Sequence, residues 1–477
     1  PFVAAEFDNS QAQQNPAALK YTALIIGQKK AAGTAVANSI VRVTNVNQVI
    51  TLAGRGSMLH KQAQIWFANN KSTTLKIGVL ADNAAGVASI GSITLAGTAT
   101  SAGTLNVYLG GELVQVPVAA GQAASAITTA LVAAINANLD LPITAAVDGS
   151  VVEKANLTFA HKGEAGNAFD VRLNYQDNEA LPAGITATVV AMASGTTNPV
   201  LSTLIAAMGD EWYQIVSHPY TDATSLTAIE TELHNRFGPM RMIDGLGITA
   251  SAQTLGNLAT LGLGRNSQHN CIVATNLSPT APYMVAAATA AQVAFAAEND
   301  PARPFQTLQL VGVLPPAANV RFTKEERNIL LYDGISTIKF AAGGVVQLER
   351  LITTYKTNSA GASDTSYLDA TTLLTLMYLR YTFRTRIQTK FPRHKLTDDT
   401  TRLGAGQAVI TPKIGKAEAV AWFRDMENLG LVERFENFKR DLVVERNALD
   451  VNRLDFLLPP DIINQFIVGA VNIQFRL

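Results

Sequence analysis

Ser57, His218 and Asp244 supply the three side-chain types of a serine hydrolase: a hydroxyl to attack, an imidazole to take its proton, and a carboxylate to orient the ring. Two features argue against the set. His218 precedes Pro219 and lacks flanking glycines, and Ser57, in Gly56-Ser57-Met58, stands where a helix N-cap is needed. Gly54-Arg55-Gly56-Ser57 and Gly262-Leu263-Gly264-Arg265 are glycine-rich, yet neither completes a dinucleotide or phosphate-loop fingerprint, and a glycine at a helix end accounts for both. The histidines, His60, His161, His218, His234, His269 and His394, include no pair at helical metal-ligand spacing. The neighbouring carboxylates Glu325 and Glu326, or Asp398 and Asp399, point apart on a helix or strand. The sequence therefore assigns no catalytic residue, no cofactor and no metal; a serine hydrolase carried on an α/β domain is the alternative.

The elements that must position such residues follow from composition and pattern. A chain of 477 residues sets a prior of about three domains. Its 37 basic and 37 acidic residues cancel, so no long-range field draws it to phosphate backbones or anionic lipid; neither nucleic acid nor membrane insertion is expected. Hydrophobic residues are 48% and charged residues 16%, below the roughly 25% charged of an average domain, which implies a large core or extensive contact with other copies. The single cysteine, Cys271, cannot form an internal disulfide. Residues 281–297 are too alanine-rich, and interrupted by Thr289 and Gln292, to cross a bilayer. The opening residues carry Glu6 and Asp8 without a basic stretch and apolar block, so no secretory signal is expected.

Strand and helix patterns alternate from residue 21: strands at 21–26 and 74–80 around a helix starting near Ser57, then helices at 199–208, 224–237, 251–261, 281–298 and 323–332. Strands are expected between them at 212–217, 240–243, 271–275 and 306–313. Thr323 and Glu326 form a capping box. Residues 84–192 differ: three basic residues, eight acidic, and short alternating runs, of which 103–110 and 112–118 read as a hairpin turning at Gly110-Gly111, with a helix at 123–136. The fold class is thus a multidomain α/β chain. A mostly parallel α/β middle domain (21–83 and 193–355) carries an inserted β-rich outer domain (84–192), expected to be peripheral. An α+β C-terminal domain follows (356–466), with an N-terminal arm (1–20) and a C-terminal arm strand (467–477).

The ends carry a second kind of signal. Val471, Ile473, Phe475 and Leu477 alternate with Asn472, Gln474 and Arg476, a strand with one apolar face; Val3, Ala5 and Phe7 repeat the pattern weakly. Such a strand completes its own sheet or is donated to a neighbour's. Near the end of a helix expected at 366–391, Arg380, Arg384, Arg386, Lys390, Arg393 and Lys395 either lie in water or face an acidic partner, and Arg380, Arg384, Lys390, Arg393 and Lys395 are the candidate contact with another chain.

Tyr355-Lys356-Thr357-Asn358, Asp364-Thr365-Ser366-Tyr367-Leu368-Asp369 and Lys390-Phe391-Pro392-Arg393-His394-Lys395-Leu396 resemble the sheath protein of contractile phage tails, in particular its Mu-like branch. Val444-Glu445-Arg446-Asn447, Asn452-Arg453-Leu454-Asp455, Leu458-Pro459-Pro460-Asp461 and Gln474-Phe475-Arg476-Leu477 are similar to the same family, as are Glu6-Phe7-Asp8-Asn9-Ser10 and Phe67-Ala68-Asn69-Asn70. The resemblance implies a middle domain labelled subtilisin-like by fold only, and subunits stacked as six-fold rings around the tail tube. It also implies N- and C-terminal arms that pair with a C-terminal-domain sheet in neighbours. The partners implied are further copies, the tail tube protein, and baseplate and tail terminator proteins; the location is a virion tail assembled in the bacterial cytoplasm. The same sequence would serve the sheath of a headless tailocin.

Overall fold

The computed structural model describes residues 19–402, 404 and 406–476. They form two compact units, Tyr21–Asn299 with Phe305–Leu373, and Asp300–Pro304 with Leu374 onward.

The first unit opens with β1 (Thr22–Gln28), β2 (Ile40–Val43), α1 (Val46–Ala53), α2 (Met58–Asn69) and β3 (Thr74–Leu80). In β1 every residue after Thr22 is buried, as in a strand covered on both faces. Residues 84–192 then supply β4 (Ala88–Gly97), β5 (Gly103–Leu109), β6 (Glu112–Val118), α3 (Ala124–Ala137), β7 (Ile143–Val147), β8 (Lys154–Lys162), β9 (Val171–Leu173) and most of β10 (Ile185–Ala193). They build a four-stranded sheet in the order β10-β4-β8-β7 and a three-stranded one, β6-β5-β9, all antiparallel. Gly110 and Gly111 turn the β5–β6 hairpin at φ 60° and 88°, the left-handed pair that a two-residue primed turn requires.

The alternation resumes with α4 (Ser202–Met208), β11 (Ile215–Ser217), α5 (Ala223–Phe237), β12 (Leu246–Ser251), α6 (Leu255–Leu263), β13 (Asn270–Ala274), α7 (Pro282–Asn299) and α8 (Lys324–Tyr332), closed by the hairpin of β14 (Thr337–Phe340) and β15 (Val346–Arg350). The central sheet runs β13-β12-β11-β1-β3-β2, parallel throughout except for β2 at one edge. The chain leaves β1 toward β3 and later returns to β11 on the other side, so the strand order reverses between β1 and β11. Helix α7, thirteen of whose residues are buried, packs against α2 and β12; its small side chains permit close approach. The Thr323 and Glu326 side chains form the capping box of α8. Lys356, in the loop before the next helix, gives its ammonium to the carbonyls of Gly262, Arg265 and Asp333, at 2.7 Å for Arg265, and so closes the C-terminal ends of α6 and α8 together.

Two expected strands are absent. Residues 240–243 form a turn with Met240 91% exposed and Met242 at φ 53°; the place beside β11 goes to β12, whose six residues are all buried. Residues 306–313 are broken by Thr307 at φ 66° and Gly312 at φ 85°, leaving one isolated bridge, Gln309 to Gln347. Ser251 ends β12, and α6 starts four residues later.

In the second unit α9 (Ala370–Lys390) packs from Leu374 onward with α10 (Pro412–Asn428) and α11 (Phe435–Asp441) around Trp422, Phe423, Met426 and Phe438. Trp422 Nε1 donates to Thr382 Oγ1 at 3.0 Å, satisfying both buried polar groups. The strands are short pairs: β16 (Lys395–Leu396) with β17 (Val409–Ile410), β18 (Val432–Glu433) with β21 (Asp461–Ile462), and the hairpin of β19 (Val443–Arg446) and β20 (Leu454–Leu457).

Candidate functional site

Ser57, His218 and Asp244 do not meet as a catalytic set. Ser57 is fully buried, and its Oγ accepts the His60 N–H at 3.1 Å as the N-cap of α2. His218 Nε2 lies 3.2 Å from Asn270 Oδ1, and complete burial pushes its pKa down to about 4 against the raising effect of that bond. His218 follows β11 and Asp244 precedes β12. By the parallel register, five residues of strand, roughly 16 Å, lie between their levels.

The structure instead brings His161 to Ser57. The Met58 N–H donates to His161 Nε2 at 2.9 Å, and His161 Nδ1 lies 3.1 Å from Asp82 Oδ1. Asp82 also accepts from Lys162 N at 3.1 Å and Gln28 Nε2 at 2.8 Å. Burial acts to raise the Asp82 carboxyl, but these bonds outweigh it and hold the group below the usual carboxylate range. Serine, imidazole and carboxylate are thus neighbours, but the imidazole cannot act as a base: its free lone pair already accepts a backbone N–H, and the ring is 1% exposed. The cluster sits at the carboxyl ends of β1 and β3, beside the reversal of strand order where doubly wound sheets take their ligands. Here the end of β8 is bonded to the last residue of β1, Gln28 Nε2 donating to Lys162 O at 2.8 Å. No signal local to the sequence links residues 82 and 161.

Residues 84–192 are fastened at further points. Lys61, 2% exposed, pairs with Glu112 at the hairpin tip, Arg55 Nε binds Asp140 at 2.6 Å, and the Tyr175 hydroxyl donates to Pro315 O at 2.6 Å. Removing the segment would take away Glu112, one of two partners of the Lys61 ammonium, which also donates to Gln64 Oε1 at 2.8 Å, and the acceptor of the Met58 N–H. Among the described residues no group of His, Cys, Asp and Glu could hold a metal ion.

A different kind of site lies at the C-terminus. Every residue from Phe466 to Arg476 is exposed and in neither helix nor strand; Val471, Ile473 and Phe475 are 83%, 82% and 79% exposed. The alternating pattern calls for a strand, but this segment has no ladder partner within its own described chain. Leu477, like Val3, Ala5 and Phe7, lies outside the described residues. In the same unit the β19–β20 hairpin is two-stranded, and among the described residues neither outer edge carries a third strand. Its inner face, with Val444 and Phe456, rests on α10, where Gly415 leaves room that a Cβ would fill at 3.1–3.2 Å. Its outer face leaves Val443 and Leu457 44% and 63% exposed.

The basic residues of α9 divide. Lys390 Nζ binds Glu418 at 2.9 Å, alongside Arg386, which spans Glu418 and Asp425; Lys395 Nζ reaches Gln407 at 3.1 Å. Arg380 is also engaged. Asp398 and Asp399, the nearby carboxylates in sequence, are used by Arg446 and by the Lys413 N–H. Arg384 and Arg393 make no ion pair among the described residues, and the Lys395 ammonium is bound to a neutral amide.

An exposed alternating tail and a two-stranded hairpin in one molecule are the features of a subunit built to join others. Residues 194–354 match the family described as phage tail sheath protein, central domain, and residues 362–476 the phage tail sheath C-terminal domain. The chain is 40% identical over all its 477 residues, and 97% of the relative's length, to the Mu-like prophage FluMu tail sheath protein of Haemophilus influenzae. This chain belongs to the phage tail sheath protein family. It is a structural subunit of a contractile tail sheath and a component of the virion tail. Solved structures similar to this sheath protein include the sheath tail protein of Desulfitobacterium hafniense, at 11% identity and TM-score 0.47 over 97% of this chain and 100% of that one. Another is the sheath complex of an extracellular contractile injection system in the contracted state, at 8% identity and TM-score 0.49 over 99% and 97%.

Proposed function

We propose that this sheath protein polymerises as stacked six-fold rings around the tail tube, each copy donating its terminal strands to the β19–β20 hairpin of a neighbour. The observation that carries this reading is the pairing of opposites in one molecule: an exposed tail in no strand, with apolar side chains at 471, 473 and 475, and a hairpin that has no third strand among the described residues. About four or five backbone hydrogen bonds at roughly 0.5–1.5 kcal/mol each, with two or three buried side chains at roughly 1.5–3 kcal/mol each, hold each arm by several kcal/mol before ordering costs. Weaker surface contacts then exchange while the arms keep the copies tethered. The extended array relaxes by rigid-body repacking, without nucleotide hydrolysis or any other catalysis, and drives the tube through the host envelope. Val3, Ala5 and Phe7 serve the same end as a second arm, and Arg384 and Arg393 face the tube. Assembly takes place in the host cytoplasm, with baseplate and terminator proteins at the two ends. Removing residues 470–477 and imaging the purified protein by electron microscopy tests the reading: folded monomers without hollow cylinders are expected, and cylinders of normal length overturn it.

A further inference from the structure

Two imidazoles act as hydrogen-bond acceptors at the start of α2. The Gly56 N–H donates to His60 Nδ1 at 3.0 Å, and the Met58 N–H donates to His161 Nε2 at 2.9 Å. Both rings are buried, at 2% and 1% exposed. Because a backbone N–H can only donate, the two ring nitrogens must each carry a lone pair, which fixes both tautomers. A proton on either nitrogen would set two donors face to face at the positive end of a helix.

The same place is a seam. Gly56 lies under residues 139–141 so closely that a Cβ would stand 2.5 Å from Leu139 O and 2.7 Å from Leu141 O, and His161 belongs to β8. The charged groups around His60 are Lys61, Arg55 and Lys30, which oppose a positive ring, and Asp140, which favours one. Around His161 stand Asp82, which accepts from it, Lys162, whose Nζ is turned to Ala84 O, and the buried Tyr220, near Asp82.

We infer that the junction between the start of α2 and residues 84–192 is an acid-sensitive clasp, closed while His60 and His161 accept backbone N–H groups and released when His60 takes a proton. Burial, with Lys61 next in weight, lowers His60 from its ordinary 6.5 to about 4. A group depressed in the closed form stabilises that form above its ordinary value, and the contribution is lost as pH falls from there toward the depressed value. Between pH 7.5 and 5.0, His60 alone raises the open fraction about 25-fold.

Hydrogen exchange of the full chain at these two pH values, corrected for intrinsic rates, reads the opening directly. The amides of Gly56 and Met58 and segments 139–141 and 159–162 are expected to lose about 25-fold or more in protection, while β13 keeps its own. His60→Asn retains an acceptor near the Nδ1 position and His161→Gln one near Nε2, and neither can be protonated; the double variant is expected to show no acid-induced opening. Protection of the wild type unchanged down to pH 5.0 overturns the clasp, as does an equal loss in the double variant. Should the double variant fail to fold, the single His60→Asn chain decides: it must lose most of the pH response.

Discussion

Replacing Ile473 and Phe475 together by serine separates a donated strand from a merely frayed end. Both side chains stand in water in the single subunit, at 82% and 79% exposed, so the substitution should leave the monomer's unfolding free energy within about 0.5 kcal/mol. In a neighbour's sheet the two would be buried on one face, each contributing about 1.5–3 kcal/mol. Together their loss is about 3–6 kcal/mol, and at tenfold per 1.4 kcal/mol the critical concentration for polymerisation rises roughly 10²- to 10⁴-fold. Sedimentation across a concentration series, with electron microscopy of the pellet, measures that threshold, and differential scanning calorimetry on the unpolymerised subunit supplies the control. Asn472→Ser with Gln474→Ser, on the opposite face, should change little. The reasoning fails if the double variant polymerises at the wild-type concentration. It fails equally if the monomer melts lower by the same amount, since the tail would then be packed at home.

Lys356→Met leaves three carbonyls at the ends of α6 and α8 without their ammonium, and should cost about 2–4 kcal/mol in urea unfolding. His218, depressed from 6.5 to about 4, stabilises the fold above its ordinary value, so the melting temperature should fall as pH drops from 6.5 toward 4, and His218→Gln should flatten that slope. Arg384→Glu with Arg393→Glu should weaken co-sedimentation with tail tubes and leave the monomer's circular dichroism unchanged; unaltered tube binding removes these two from the tube face. Contraction of purified particles should proceed with no nucleotide added, and a requirement for one would defeat the mechanical reading.

Legibility followed the range of the interactions concerned. The Thr323–Glu326 capping box, the Ser57 cap and the Gly110-Gly111 turn are decided within four residues, and each stands in the structure as its spacing predicts. Residues 240–243 and 246–251 are both short and apolar, and what selects β12 is the register beside β11 and β13, which no local window contains. The same holds for the site. The tail could be read as one apolar stripe, but Lys390 finds Glu418 across two helices, and His161 finds Asp82 across 79 positions. Charges that look like a surface in the sequence therefore include several already neutralised within the fold.

The seating of residues 161–162 against Asp82 and Gln28 bears on what residues 84–192 supply to the central sheet. At the edge of a niche where other doubly wound proteins take a cofactor, this chain seats an internal peg, His161 and Lys162 being bonded there to Asp82 and Gln28. A chain without residues 84–192 would need other partners for the Asp82 carboxylate and the Gln28 amide.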